Sequence, residues 1–478
     1  MSAILRTRSE SASPQESSPS MLKGELGAFQ YFTLCFGAVI GVGWMPLVGV
    51  WIANAGSFGA ALGFIFGGSL ICIVLASYIR VAEQYPVSGG EVAYAWEIFG
   101  PKAGFLVGWM LSFSYLAIGG FMAITAGWIT GELVPMLVGE ELYTVFGGSV
   151  KSGALWLGLI VSVLLAWLHI RGATWVAQFQ NVMTVGLIAA SAIFVAGGLI
   201  GGDASNLDPK LVITTGGASW AGIVTVFATT PLFYGGFNFA VQAIGERSSK
   251  TPVSRIGLAL VAGVACACLF YVAVIMSTAM AMPRSELLLE TMPAAAASRR
   301  VFGASILADL VLVAGLLGIV TSWNAVILAA ARILHFMAQA DQLPSILGRT
   351  HAKFGSPHVA ILFVTAIGAL ACAGGVGLLG PIVGAAGAAI AFAYVIVAFG
   401  ALRLKSTAPG IKQGFVTTQL LRIAPFAAVF AFLAALFEPF LSDWSLRLPL
   451  PWRLLGGWVA LGLLIVAARK ARSCAALH

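Results

Sequence analysis

Long apolar runs fill this chain, separated by short polar stretches. Twelve runs are drawn, at about 29–53, 58–82, 104–131, 153–170, 175–201, 218–244, 256–281, 303–338, 358–376, 380–402, 421–440 and 455–468. Each reaches or approaches the roughly 20 residues that a helix needs to cross bilayer hydrocarbon. The pattern predicts an all-α polytopic membrane protein of twelve transmembrane helices. Two polar interruptions are long enough to hold structure of their own. The stretch Gln84-Tyr85-Pro86-Val87-Ser88-Gly89-Gly90-Glu91, continuing through Val92 to Gly100, is too polar to span and predicts a short interfacial helix. Pro283 to Arg300 is partly helical in pattern and is a candidate lid.

Two apolar runs are broken where a simple spanning helix is least interrupted. The first break is Phe36-Gly37-Ala38-Val39-Ile40-Gly41-Val42-Gly43-Trp44-Met45-Pro46; the second is Pro231-Leu232-Phe233-Tyr234-Gly235-Gly236-Phe237-Asn238. Backbone freed inside hydrocarbon must be satisfied by protein, water or ligand. Glycine also permits close helix packing, and Gly37 with Gly41, and Gly59 with Gly63 and Gly67, have that spacing. For a single glycine-rich run packing is the simpler reading. Two breaks at matching places, each with Gly, Pro and aromatics, point instead to a transporter binding site.

Composition agrees with the membrane class. The chain of 478 residues is 59% hydrophobic and 9% charged, against about 25% charged for a soluble domain. Met1 to Ser20 is Ser-rich without an apolar core and reads as a disordered cytosolic tail. The net charge of +8 sits in loops between runs, so no nucleic-acid partner is implied. Cys35, Cys72, Cys266, Cys268, Cys372 and Cys474 are scattered, without metal or disulfide spacing. With the N-terminus placed in the cytoplasm, nineteen of the 26 Lys and Arg residues fall on the cytoplasmic side and seven outside. Both termini are therefore expected in the cytoplasm.

Five runs precede the second broken set and five belong to it. Five is odd, so the second set has inverted topology, an inverted-repeat arrangement. The expected organisation is a tail at 1–22, a first repeat at 23–203, a second at 204–405, and two peripheral spans with a cytosolic C-terminus at 406–478. Those last spans would pack on the bundle or form oligomer contacts, as monomer or homodimer.

Several stretches resemble the amino acid permeases of the amino acid–polyamine–organocation superfamily. These are Gly37 to Gly43; Glu83 through Tyr94 to Phe99-Gly100-Pro101 and Gly104-Phe105-Leu106-Val107-Gly108-Trp109; Phe233 to Glu246; Asn324-Ala325 through Arg332; Asp341-Gln342-Leu343-Pro344; and Ser356-Pro357-His358-Val359-Ala360. The resemblance runs from about Gly24 to Lys405. It implies a LeuT-type fold of 5+5 inverted repeats with helices 1 and 6 unwound, and transport of amino acids or related amines.

An amino acid brings a carboxylate and an ammonium, and both need partners. Half-helix N-termini offer N–H groups and a positive dipole end, which suits Gly41, Val42 and Gly43 to the carboxylate. The carbonyls of Ala38 and Val39, with those near Phe233, Tyr234, Gly235 and Gly236, suit the ammonium, and glycine lets substrate approach bare backbone. Trp44, Tyr115, Phe233, Tyr234 and Phe237 are candidate walls and gates; membrane aromatics also simply pack. Asn238 stands where much of the family has an acid. It is either a substrate contact or an interhelical hydrogen bond.

The coupling ions to weigh are Na+ and H+, beside exchange without an ion. Thr321 and Ser322, with the carbonyls of Gly37 and Ile40, would form an oxygen cage for sodium, where the resemblance places one; Thr and Ser also bond back to their own helix. The lysine some proton-coupled relatives use is replaced by Leu187. Asp309 is the one charge expected within a run. No acid is expected at the depth of the breaks, so a dicationic substrate would find nothing to pair its second charge. A neutral amino acid or small monoamine follows. Ion-independent exchange and a transporter-like sensor are the alternatives. HExxH, GxSxG and Walker signatures are absent, and the histidines are dispersed, so no enzyme, cofactor or metal is expected.

Overall fold

A computed structural model describes residues 26–41, 43–86, 89–171, 173–212, 219–303, 306–404, 415–442 and 448–475. The expected N-terminal tail and Val42 lie outside these residues. In chain order the helices are α1 (Ala28–Val39), α2 (Trp44–Gln84), α3 (Gly90–Phe99), α4 (Pro101–Leu133), α5 (Ser152–Arg171), α6 (Ala173–Gly201), α7 (Ser219–Phe233) and α8 (Phe237–Gln242). They continue as α9 (Val253–Ala281), α10 (Arg284–Leu287), α11 (Pro293–Phe302), α12 (Ile306–Gln339), α13 (His358–Ala371), α14 (Leu379–Arg403), α15 (Phe415–Ser442) and α16 (Leu450–Ala475).

Among the described residues ten helices are long and apolar enough to cross a membrane, and two shorter apolar helices, Ala28–Val39 and His358–Gly374, accompany them. The drawn run at 29–53 is thus split between α1 and the start of α2. The runs at 29–53 and 58–82 are joined because α2 is continuous through a bend at Gly56, whose φ of 78° and ψ of 174° are open to glycine alone. The carbonyls of Pro209 and Lys210 crowd the inside of that bend. The amides of Phe58 and Gly59 donate to Lys210 there, at 3.0 and 3.2 Å.

One departure from an all-helical chain is a small hairpin. β1 (Glu141–Val145) pairs antiparallel with β2 (Gly148–Lys151). Its turn residues Phe146 and Gly147 both take positive φ, 52° and 76°, the geometry two-residue hairpins favour. The Gly147-Gly148 pair after the β-prone Tyr-Thr-Val strand was the readable signal.

The core is the packing of α2 on α7 and α9, and of α4 on α12 and α14. Small residues set the first of these: Gly63 faces Val226 and Gly67 faces Thr230, so the Gly59-Gly63-Gly67 ridge is a packing surface. By contrast α16 rests on α14, α4 and, through Trp452, the end of α15, and its Leu463 and Leu464 are each 66% exposed. Apolar side chains left bare on a long helix suit lipid contact.

Hydrogen bonds sort the connecting segments into two ends. At one end Ser248 N–H donates to the Leu26 carbonyl, Gln342 Nε2 to Pro101 and Ser356 Oγ to Ile170. At the other, Arg284 reaches the Ala53 carbonyl, Ser57 Oγ that of Leu207, and Tyr143 Oη that of Ala373, while Arg299 pairs with Glu132 at 3.8 Å. We call these the α3 end and the hairpin end. The expected interfacial helix is α3, but its Glu91 to Ala95 are buried in the bundle instead of lying on its rim.

Gly56→Ala is expected to destabilise the protein by about 1–3 kcal/mol from backbone strain alone, with the crowding carbonyls adding to it. Gly456→Ala, where a methyl meets nothing within 4 Å, is the control. Thermal unfolding in detergent reads both, and equal midpoints would remove the strained bend.

Candidate functional site

The two breaks cross. A Cβ placed on Gly236 would collide with the backbone of Ala38 and Val39, 2.5 Å from the Ala38 carbonyl carbon. Backbone therefore packs on backbone, which only glycine permits at this separation. At the first break α1 ends with Ile40 N–H on the Phe36 carbonyl, and Gly41 N–H turns back to Val39 at 2.9 Å. At the second the ladder tightens to i→i+3 bonds, from Gly235 to Leu232 and Asn238 to Gly235, both at 3.1 Å. Pro231 has no N–H for the Phe227 carbonyl, and the neighbouring Thr230 hydroxyl takes that place at 2.7 Å.

Four buried tyrosines tie the breaks to the helices around them. Tyr271 of α9 donates to the Val39 carbonyl at 2.8 Å, Tyr234 to Phe64 of α2 at 3.0 Å, Tyr394 of α14 to Pro231 at 3.0 Å, and Tyr31 of α1 to Ala243 at 2.7 Å. A stack of rings, Trp51 on Phe64 at 4.5 Å and Phe64 on Tyr271 at 4.6 Å, backs the second break. Phe233 meets Trp51 edge-on at 5.0 Å.

Beside the crossing lies a cavity of about 60 Å³. Its walls include Ala38, Val39, Gly41, Gly43, Phe233, Gly235 and Gly236 from the breaks, Ile118, Phe121 and Met122 from α4, Phe239 from α8, Tyr271, Ser322, Val326 and Val383. No charged side chain is among them, so any charge placed here meets only backbone, two hydroxyls and ring faces. Gly43 and Trp44 begin α2, whose first N–H groups lack intrahelical partners. The Ser322 hydroxyl, 3% exposed, has no aligned partner and stands 3.0 Å from where a Gly41 Cβ would be.

The other expected site residues fall elsewhere. Trp44 packs against Phe194 and Phe270, away from the lining. Tyr234 points its hydroxyl to Phe64, and Phe237 lies between Tyr78 and Tyr394. Tyr115 sits beneath the cavity wall, its ring on Phe239 at 5.1 Å. Asn238 is fully buried and neither amide atom has an aligned partner. The Val39 carbonyl already accepts from Tyr271 and Gly41, which uses both lone pairs, so it has none left for an ammonium.

Of the sodium set, Thr321 donates to its own helix at Gly318, 3.0 Å away, with its lone pairs left over. Gly37 faces the Thr184 hydroxyl of α6, 3.0 Å from a Cβ position, an oxygen that sequence reasoning missed. Ile40 turns its side chain to an apolar groove with Leu187 and Phe270.

Asp309 is exposed and stands in the first turn of α12, apart from the cavity. The expectation that no acid lies near the breaks is overturned by Glu91, which is 0% exposed and hydrogen-bonded to Gln242 of α8. It comes from α3, outside the apolar runs, which is why counting acids within runs missed it.

A family profile for amino acid permeases matches residues 26–452. The chain belongs to the amino acid permease family. It is similar to the methylthioribose transporter of Bacillus subtilis, at 25% identity over 87% of this chain and 88% of that protein. The permease is also 25% identical to the branched-chain amino acid permease BcaP of the same organism, over 73% of this chain and 74% of that one. With the human large neutral amino acids transporter small subunit 2 the figures are 26% identity, 72% and 63%. The permease is thus a multi-pass integral membrane protein of a transporter family, not an enzyme.

The two glycines that frame the cavity predict different tolerance. Gly43→Ala drives a methyl to 2.5 Å from the Phe233 ring, a side chain that can move. Gly236→Ala meets backbone, which cannot. Both variants are expected to lose substrate-induced thermal stabilisation. Adding Phe233→Leu is expected to restore it to Gly43→Ala and not to Gly236→Ala. Normal stabilisation of Gly236→Ala would remove the crossing from the site.

Proposed function

We propose that this permease is a secondary transporter that moves a neutral amino acid by alternating access, with substrate held where the two breaks cross. The observation that carries the reading is the charge-free cavity walled by both breaks. A zwitterion's two charges would be met by the helix end at Gly41 to Trp44 and by carbonyls of the breaks, among them Ala38 and those near Phe233. With no acid in the lining, an arginine, lysine or polyamine would leave its second charge unpaired. Two of the relatives, a branched-chain amino acid permease and a large neutral amino acids transporter, agree with that class.

The architecture proposed is twelve spans, with α1 to α6 and α7 to α14 as inverted repeats at 23–203 and 204–405. The α3 end faces the cytoplasm with both termini, since the basic residues concentrate there. The hydroxyls of Thr184 and Ser322 stand against the first break at Gly37 and Gly41, Thr321 precedes Ser322 on α12, and none of the three titrates, which suits sodium better than a proton as the ion bound at that place. Monomer and homodimer both fit the bare face of α16.

Labelled-substrate uptake into proteoliposomes tests the reading. Saturable uptake of neutral amino acids is expected, with arginine and spermidine neither transported nor competing. Transport of the cationic compounds alone would overturn the substrate class. Replacing sodium by a large organic cation is expected to abolish accumulation, and Thr321→Val to weaken it far more than Asp309→Asn. Unchanged uptake without sodium, with collapse on adding a protonophore, would overturn the sodium site.

A further inference from the structure

Beneath the cavity, on its α3 side, lies a cluster of polar groups that the transport reading leaves unused. Glu91 enters from the start of α3. Its Oε2 accepts from Gln242 Nε2 at 3.2 Å, and the same nitrogen donates to Tyr115 Oη at 2.9 Å. Oε1 has no aligned partner. Tyr78 of α2 stands beside the carboxyl without an aligned hydrogen bond. Tyr94 of α3 and Tyr394 of α14 complete the surround, all fully buried.

The elements around α3 bring few charges toward Glu91. From α12, which meets α3 where Phe336 packs edge-on against Trp96 at 6.2 Å, come Arg332 and His335, on the turns before that contact. From α4 come Tyr115 and, on the exposed side, Lys102. From α8 come only the neutral Asn238 and Gln242. From α14 come Tyr394 and Arg403, the latter exposed and stacked over Phe99 at 4.6 Å. On α2, Arg80 acts on Glu83, a turn past Tyr78. The groups acting on the Glu91 carboxyl are Gln242, Tyr78 and its own backbone amide, none of them cationic.

A carboxylate sealed from water without a cation favours its proton. Burial first of all raises Glu91 from 4.5 to about 7, with the hydrogen bonds from its backbone and Gln242 and the nearby Tyr78 hydroxyl opposing the shift. The cluster is also placed to feel gate movement. Phe239 walls the cavity and rests on Tyr115, and Gln242 follows it within one turn of α8. Withdrawing α8 from α3 and α4 would uncover the cavity, break the Gln242 bond and wet the carboxyl in one motion.

We propose that Glu91 is a proton-binding site whose protonated form latches the cytoplasmic gate of this permease, and which loses its proton when that gate opens. The proposal rests on the transport and orientation readings above. On opening, the carboxyl O–H transfers its proton to water on the α3 side; on closing, a proton returns from the same side. No net proton crosses the membrane, so the latch sets how often the gate opens and leaves the driving ion to another site. The direction follows from linkage. Because the closed gate holds the higher pKa, closure is fully favoured below about 4.5, the value of a wetted carboxyl, and is lost as pH rises toward about 7. Across that window the open-to-closed ratio rises up to about tenfold per pH unit.

The test follows gate opening by thiol labelling. Ala240→Cys, on α8 and fully buried, is introduced into full-length protein with its native cysteines replaced, and reacted with a water-soluble maleimide from pH 4.5 to 8. A small thiol in solution corrects for thiolate ionisation. The corrected rate is expected to climb at least tenfold with the Glu91 carboxyl in place and to stay flat with Glu91→Gln. Gln242→Leu, which keeps the carboxyl and removes a hydrogen bond that favours its ionised form, is expected to move the midpoint to higher pH. That shift decides the matter if Glu91→Gln does not fold. A flat rate with Glu91 present, or an unmoved midpoint in Gln242→Leu, overturns the latch. Saturable uptake is measured on the same preparations: uptake with a flat profile sinks the latch alone, and a pH-dependent profile without uptake of any amino acid sinks the transport reading alone.

Discussion

Backbone packed on backbone, where Gly236 lies against Ala38 and Val39, is the contact on which the rest of the bundle depends. Two helices stop part-way along their length, and each stop frees peptide groups that an apolar bundle cannot leave bare. Setting the stops against each other concentrates those groups in one place. Glycine is required there because any side chain would push the segments apart. The cavity beside the crossing is consequently walled by main chain, apolar side chains and the side chains of Tyr271 and Ser322, without an ionic residue.

The broken segments are also tied to their surroundings by side-chain hydrogen bonds. Tyr271, Tyr234, Tyr394 and Tyr31 each bring one hydroxyl to one carbonyl, and Thr230 stands in for the amide that Pro231 lacks. A tyrosine suits this work because its ring is satisfied by apolar packing while its hydroxyl reaches a polar target. The same economy explains Glu91. An amphipathic segment between two spans folds back into the bundle, so a carboxyl arrives under the cavity without having to be carried through the membrane on a spanning helix.

Much of this was legible in the chain. The apolar runs, the paired Gly-rich breaks, and the Gly59-Gly63-Gly67 ridge are local properties, and helix period and glycine spacing express them directly. Local pattern could not say which aromatics line the cavity. Trp44, Tyr234 and Phe237 sit beside the breaks in sequence, yet helix rotation turns them to other neighbours, while Ile118, Phe121, Tyr271 and Val383 arrive from three separate helices, α4, α9 and α14. The hairpin at Glu141 to Lys151 was readable from the Gly147-Gly148 pair at its turn and from its β-prone Tyr-Thr-Val strand but was hidden by the weight of helical runs around it.

The sequence by itself determined that this is a polytopic helical membrane protein with two interrupted helices, because hydrophobicity and glycine content act over a few neighbouring residues. Its motifs also marked the permease family. Only the tertiary structure decided that the breaks touch, that the Val39 carbonyl is already taken, that Asp309 is exposed, and that Glu91 is sealed beneath Phe239 and Tyr115. Each of those depends on which surfaces of separate helices meet. A residue's burial and its partners are set by that meeting, and no stretch of chain carries it alone.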